Sequence, residues 1–157
     1  MSPRSVTHAS FTITRRWKAA PSRVFDAFAH EEQKGQWFGR APGGEVHEKR
    51  FDFREGGLEI LGGRHANGMV TRFDCIYRDI VTPGAGEAGR IVYSYVMHVD
   101  GRKISVSHAC IELAPDGNGT KLTLTEYGDY LDGYDDAGSR EHGTNALMDR
   151  LGAFVEA

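Results

Sequence analysis

The chain has 157 residues, enough for one domain with a substantial core, and its 39% apolar and 26% charged residues describe an ordinary soluble globular protein. A formal net charge of −3 with scattered Lys and Arg excludes the basic footprint of a nucleic-acid or anionic-membrane binder. No apolar run approaches a membrane span and the N-terminal MSPRSVTHASF lacks a signal-peptide core, so a cytoplasmic protein is expected. Cys75 and Cys110 sit in strand-like runs with no CxxC spacing, which predicts two buried free thiols.

In chain order, SFTITRRW (10–17) alternates and is rich in β-branched and aromatic residues, so it reads as a first strand. Pro21 opens a helical pattern, PSRVFDAFAHEEQKGQWF, with Val24, Phe25 and Phe28 on one face; Gly35 is expected to divide it into two short helices. From 46 to 130 the pattern is strand after strand. Turns are expected at Glu55-Gly56-Gly57, Gly62-Gly63, Ala66-Asn67-Gly68, Pro83-Gly84, Asp100-Gly101 and Asp116-Gly117-Asn118-Gly119. After Gly133 the period becomes helical to the end. A strand, two short helices, a long antiparallel run and one long C-terminal helix make an α+β domain over 1–157.

The hairpins decide which sheet face looks inward. IVYSYVMHV (91–99) places Tyr93, Tyr95 and Met97 on one face, and the next run places Ser105, Ser107 and Ala109 on one face against Val106, His108 and Cys110. The turn at Gly117 sets Leu113 opposite Leu122 and Ala109 opposite Glu126. A strict two-residue turn at Asp100-Gly101 would pair Tyr93 with His108, on the wrong face for the next hairpin. A three-residue loop with a bulge, pairing Tyr93 with Ser107, is therefore preferred. It leaves large Tyr93, Tyr95 and Met97 beside small Ser105, Ser107 and Ala109, hence room beneath the last helix for a small-molecule cavity.

Residues 130–151 crowd acidic and polar groups together without a catalytic or metal pattern. Asp129, Asp132, Asp135 and Asp136 do not have calcium-loop spacing, and the seven His form no zinc cluster, so no metal and no cofactor are expected. Ser139, Glu141 and His142 lie too close along one helix to form a relay, and no catalytic residue is assigned. With Leu147, Met148, Leu151, Phe154 and Val155 as the buried stripe, His142 points to solvent while Arg140 and Thr144 turn inward. Asp135, Asp136 and Ser139 suit the helix start. Glu126 and Arg140 are the polar pair beneath the helix. They fit a structural salt bridge, an anchor for a ligand head group, or acid–base work. Trp37 and Phe38 either pack on the sheet as core or close the cavity.

Three stretches, APSRVFDAF with EEQKGQWFG (20–39), FDFREGG (51–57) and LTLTEYGDYLDGY with GTNALMDRL (122–151), resemble the START-like SRPBCC superfamily, in particular the family of the heat-shock protein 90 ATPase activator C-terminal domain. The resemblance runs from about Phe11 to Phe154. It implies a helix-grip (START/Bet v-like) fold, a curved antiparallel sheet around a long C-terminal helix with two short helices at one end. It implies binding of a small hydrophobic or amphipathic molecule, in a cavity expected to be lined by Trp37, Phe38, Phe53, Phe73, Tyr93, Tyr95, Met97, Ser107, Glu126, Arg140, Thr144 and Met148. A polyketide cyclase- or hydrolase-like enzyme, and an interaction module acting on a chaperone partner, are the alternatives. The last is weakened because such activators carry a further N-terminal domain for which 157 residues leave no room. Many members have Trp after the position of Gly143; Thr144 here predicts a roomier pocket. Ligand identity and oligomeric state are silent in the sequence.

Overall fold

The computed structural model describes residues 4–39 and 42–157; the first three residues of the N-terminal stretch, with Arg40 and Ala41, lie outside the described residues. The order is β1 (Val6–Trp17), α1 (Pro21–Ala29), α2 (Glu31–Lys34), β2 (Glu45–Phe51), β3 (Leu58–Arg64), β4 (Val70–Val81), β5 (Gly89–Val99), β6 (Arg102–Asp116), β7 (Gly119–Leu131) and α3 (Ala137–Val155). The strands form one curved sheet in the order β1-β7-β6-β5-β4-β3-β2, every pairing antiparallel. Helix α3 lies across its concave face, and the short pair α1–α2 closes one end: the helix-grip fold.

The two short helices separate at His30 rather than at Gly35. His30 takes an extended backbone (φ −107°, ψ 126°), ending α1 and opening α2, while Gly35 ends α2 in a right-handed conformation. The corner at His30 directs Lys34 into the interior. Gly62-Gly63 is not a turn either: the pair lies within β3, opposite a bulge in β2 between Val46 and Glu48. Pro21 occupies the first turn of α1, and Val24, Phe25, Ala27 and Phe28 bury one face of it.

The β5–β6 hairpin reaches the expected face by a different route. Asp100 (φ 50°) and Gly101 (φ 78°) are both left-handed, so the loop has two residues, with Val99 opposite Arg102. The extra residue sits inside β6, where the register shifts between Met97↔Ser105 and His98↔Lys103, and Tyr93 pairs with Ala109 rather than Ser107. A loop-placed bulge and a strand-placed bulge differ by two residues here, and two residues preserve the face. The tight loop is favoured because the Asp100 carboxylate accepts the Val70 N–H at 3.0 Å and its own N–H donates to Val70 O at 2.7 Å.

Down the inner face the rows change character. Ile13, Leu124, Ile111 and Ile91 are consecutive cross-strand partners; with Leu113, Leu122, α1 and the C-terminal half of α3 (Met148, Leu151, Val155) they form the core. The next rows are Glu126–Ala109–Tyr93–Tyr77 and Gly128–Ser107–Tyr95–Cys75. The apolar end is filled by side chains; the polar end lies under the N-terminal half of α3. On the opposite face His108 stacks on Tyr127 at 5.6 Å, outside the grip. Cys75 is buried and Cys110 half-buried on the outer face, so only one of the two free thiols is interior. Burial pushes the Cys75 thiol up to about 12.

Helix α3 packs against β1 at Gly152, where an added Cβ would stand 2.7 Å from Trp17 Nε1. Gly152→Ala gains helix propensity but drives a methyl into a stiff indole. A net loss of about 1–3 kcal/mol is expected, read from the denaturant midpoint; a stabilised variant would show that α3 slides freely on β1.

Candidate functional site

The sheet, α3 and the α2–Trp37–Phe38 segment enclose a cavity of about 570 Å³. That lies within the 300–1,000 Å³ usual for small-molecule sites. Phe73, Tyr93, Tyr95, Met97 and Glu126 line it from the sheet, Arg140, Thr144 and Met148 from α3, and Trp37 and Phe38 from the closing segment. Phe53 and Ser107 do not line it. Phe53 lies behind Tyr77, its ring 4.9 Å from that ring and 5.7 Å from Phe25, because the bend after β2 turns it toward α1. Ser107 has the expected face, but the Arg140 guanidinium covers it, Nη1 standing 3.3 Å from its Oγ.

Trp37 is pinned as core, its indole N–H donating to Ala27 O at 3.0 Å and its ring 4.9 Å from Phe28. Phe38, half-buried, continues an aromatic wall through Phe73 (5.1 Å) and Tyr95 (5.1 Å) to Tyr93 (5.9 Å). Thr144 returns its hydroxyl to Arg140 O at 2.8 Å, so only its methyl and backbone add to the wall.

One end of the cavity is polar around Arg140. The first turn of α3 is capped by Asp136, whose carboxylate accepts the Ser139 N–H at 2.8 Å. That turn points the Arg140 side chain down onto the sheet. There its guanidinium donates to Tyr95 Oη at 2.9 Å, Ser105 Oγ at 2.6 Å and Asp135 Oδ2 at 2.9 Å. Asp135 is therefore not only a helix-start residue: it is the principal counter-ion of Arg140. Glu126, 2% exposed, stands 3.8 Å from Arg140 Nη1, beyond hydrogen-bond reach. It instead accepts the Tyr95 hydroxyl at 2.8 Å. The pair foreseen from the sequence is thus a relay, Arg140 to Tyr95 to Glu126. Burial raises the Glu126 carboxyl above its ordinary range, only partly opposed by the Tyr95 hydrogen bond and the Arg140 charge.

A second polar cluster escaped the sequence reading. Lys34, 8% exposed, donates to Glu59 Oε1 at 2.5 Å and to Tyr77 Oη at 3.3 Å, and Tyr77 Oη donates to the same Glu59 oxygen at 2.5 Å. The ammonium also lies 4.7 Å from the Phe38 ring centre. Lys34 and Tyr77 line the cavity; Glu59, 5% exposed, sits behind them. The available signals were a lone Glu inside the apolar run LEIL and the period-two set Phe73, Cys75, Tyr77; neither says which charge across the fold answers Glu59.

Among the described residues no three His, Cys, Asp or Glu side chains gather to hold a metal ion, and no helix is long and apolar enough to cross a membrane.

The comparisons with known proteins agree with this architecture. The family profile described as "Activator of Hsp90 ATPase homolog 1-like protein" matches residues 18–156. The chain is similar to the crystal structure of the Mll3558 protein from Rhizobium loti, with 40% identity over 96% of this chain and 99% of that one and a TM-score of 0.84. A protein from Rhizobium leguminosarum is 36% identical over 99% of both chains, with a TM-score of 0.89. An AHSA1-like protein from Aeromonas hydrophila, 17% identical over 94% of this chain and 92% of that one, shares the fold at a TM-score of 0.68. No curated protein matches the chain.

Proposed function

The chain belongs to the family of Activator of Hsp90 ATPase homolog 1-like proteins, and from that premise we propose that it binds a small, mainly hydrophobic molecule in the cavity between its sheet and α3. The family is one that often binds hydrophobic ligands. One observation carries the reading: the polar end of the sheet leaves about 570 Å³ open beneath α3, walled by aromatic rings and met by a few convergent polar groups. A module acting only by docking on a chaperone has no need for such a space, and an open cavity speaks for the ligand.

Thr144 supplies the test. Replacing it with Trp puts a large ring into the space while leaving the sheet untouched. N-phenylnaphthylamine, an uncharged dye that brightens in apolar surroundings, should bind the natural chain and bind Thr144→Trp at least about tenfold more weakly, a loss of about 1.4 kcal/mol. Thermal stability should hold or rise as the cavity fills. Equal affinity in both proteins would place the dye elsewhere and remove this reading.

A second reading, an acid–base enzyme of the cyclase or hydrolase type, is favoured by the Glu126–Tyr95 pair. A buried carboxyl held above its ordinary range, 2.8 Å from a hydroxyl and facing a cavity, is what proton transfer to a bound substrate uses. That reading requires Glu126→Gln to abolish turnover of a bound molecule while retaining its binding.

A further inference from the structure

The cavity contains fixed charges of both signs, yet each interior charge already has its answer. Arg140 is matched by Asp135 at 2.9 Å and Lys34 by Glu59 at 2.5 Å. Glu126 is the remaining interior acid. It is engaged by the Tyr95 hydroxyl and lies where an ionised ligand acid would meet a second carboxyl. Arg64, Arg150 and Glu45 also border the space, but all three are exposed at the rim, where water screens them, and His65 there is paired with the Thr71 hydroxyl at 2.8 Å. Among the described residues an anion placed inside meets no interior cation that lacks a counter-ion, and a cation could reach Glu126 only by competing with the Tyr95 hydroxyl and the nearby Arg140 charge. Either would be desolvated with little compensation.

Between the two charged clusters stands Tyr93. Tyr77, Tyr93, Ala109 and Glu126 are consecutive partners across β4, β5, β6 and β7, so Tyr93 is the link between Tyr77 at one pole and Glu126 at the other. Three strand steps of about 4.8 Å put the backbones at the two poles roughly 14 Å apart. Tyr95 and Tyr77 spend their hydroxyls on Glu126 and Glu59, whereas the Tyr93 hydroxyl has no hydrogen-bond partner among the described residues and opens onto the cavity. A phenol is a strong donor and a weaker acceptor, so an unspent one facing a ligand asks for an acceptor. The neighbouring wall of Phe38, Phe73, Tyr95 and Tyr93 rings suits a flat face.

We propose that the cavity takes an uncharged, flat molecule bearing a carbonyl-type acceptor, received by the Tyr93 hydroxyl, and rejects carboxylate and ammonium ligands of the same size. The proposal rests on the cavity-binding reading above and narrows it to a ligand class.

Four probes on one skeleton separate the possibilities: acetylnaphthalene, ethylnaphthalene, naphthoate and naphthylmethylammonium, each competing with N-phenylnaphthylamine at pH 7. Acetylnaphthalene should bind at least about tenfold more tightly than either ion. It should bind about three- to tenfold more tightly than ethylnaphthalene, the advantage of one hydrogen bond. Tyr93→Phe should erase the second advantage and leave the first. Naphthoate or the ammonium binding as tightly as the ketone would overturn the proposal while leaving cavity binding intact, and so would a ketone preference that survives in Tyr93→Phe. If the dye itself fails to bind the natural chain, the cavity reading falls and takes this one with it. The comparison within the natural chain needs no variant to fold.

Discussion

Lys34→Met should cost about 3–5 kcal/mol of folding stability, measured as a shift in the denaturant midpoint at constant slope. The Lys34 and Glu59 side chains retain only 10% and 6% of their exposure, and among the described residues Tyr77 Oη is the one other group bonded to that Glu59 oxygen. Removing the ammonium strands a carboxylate out of water beneath the α1–α2 corner. The thioether of Met keeps the packing against Phe38, so the loss reports the charge rather than a void. The double variant Lys34→Met with Glu59→Met should recover most of the loss, because two desolvation penalties vanish with one attraction. Tyr77→Phe, which leaves the ion pair whole, should cost only about 1 kcal/mol. A single Lys34→Met loss below about 1 kcal/mol would mean that water reaches the pair, as it does for exposed pairs.

Arg140→Leu should be destabilising by about 2–4 kcal/mol at pH 8 and by less at pH 4. The guanidinium is 12% exposed and donates to Tyr95, Ser105 and Asp135; without it Ser105, fully buried, loses its partner, and Glu126 loses its nearest cation. The sign of the pH dependence follows from Glu126. Its folded carboxyl is already raised above 4.5, so the natural chain loses stability from this group as pH climbs from below 4.5 through the raised value. Arg140 opposes that rise. Its removal lifts the folded value further and extends the loss to higher pH. Well below 4.5 Glu126 is protonated in both folded and unfolded chains and contributes no difference. Denaturation across pH 4–8 would check this; a gap between the two proteins that is flat or that widens toward acid would exclude Glu126 as a buried acid sensing Arg140.

The alternation Leu122, Leu124, Glu126 against Thr123, Thr125, Tyr127 assigned the inner face of β7 directly, since a strand offers only two faces and the burial of alternate residues follows. The helical stripe of α3 likewise placed Arg140 and Thr144 inward and His142 outward. Local chemistry misled where more than one solution was locally acceptable. Gly35 and Gly62-Gly63 carry breaker residues, but the chain turned at His30 and ran straight through β3 because neighbouring strands and core contacts outweigh the preference of single residues. The β5–β6 loop and its bulge were exchanged for the same reason: both keep the face, and the choice depended on Asp100 reaching Val70 of β4, thirty positions back along the chain.

Periodicity and turn chemistry, which act between residues a few positions apart, were enough to define the α+β order and the inward faces; the small residues Ser105, Ser107 and Ala109 do not line the cavity, because the Arg140 guanidinium covers the two serines. Such local signals could not pair charges that meet only when distant segments close. Lys34 meets Glu59 across 25 positions, Tyr95 meets Glu126 across 31, and Arg140 reaches Ser105 across 35. Each of these contacts depends on strand order and on the angle at which α1–α2 and α3 settle on the sheet, information that exists in no window of the sequence. The elements and their faces come from local periods; which charge answers which comes from the closure of the grip.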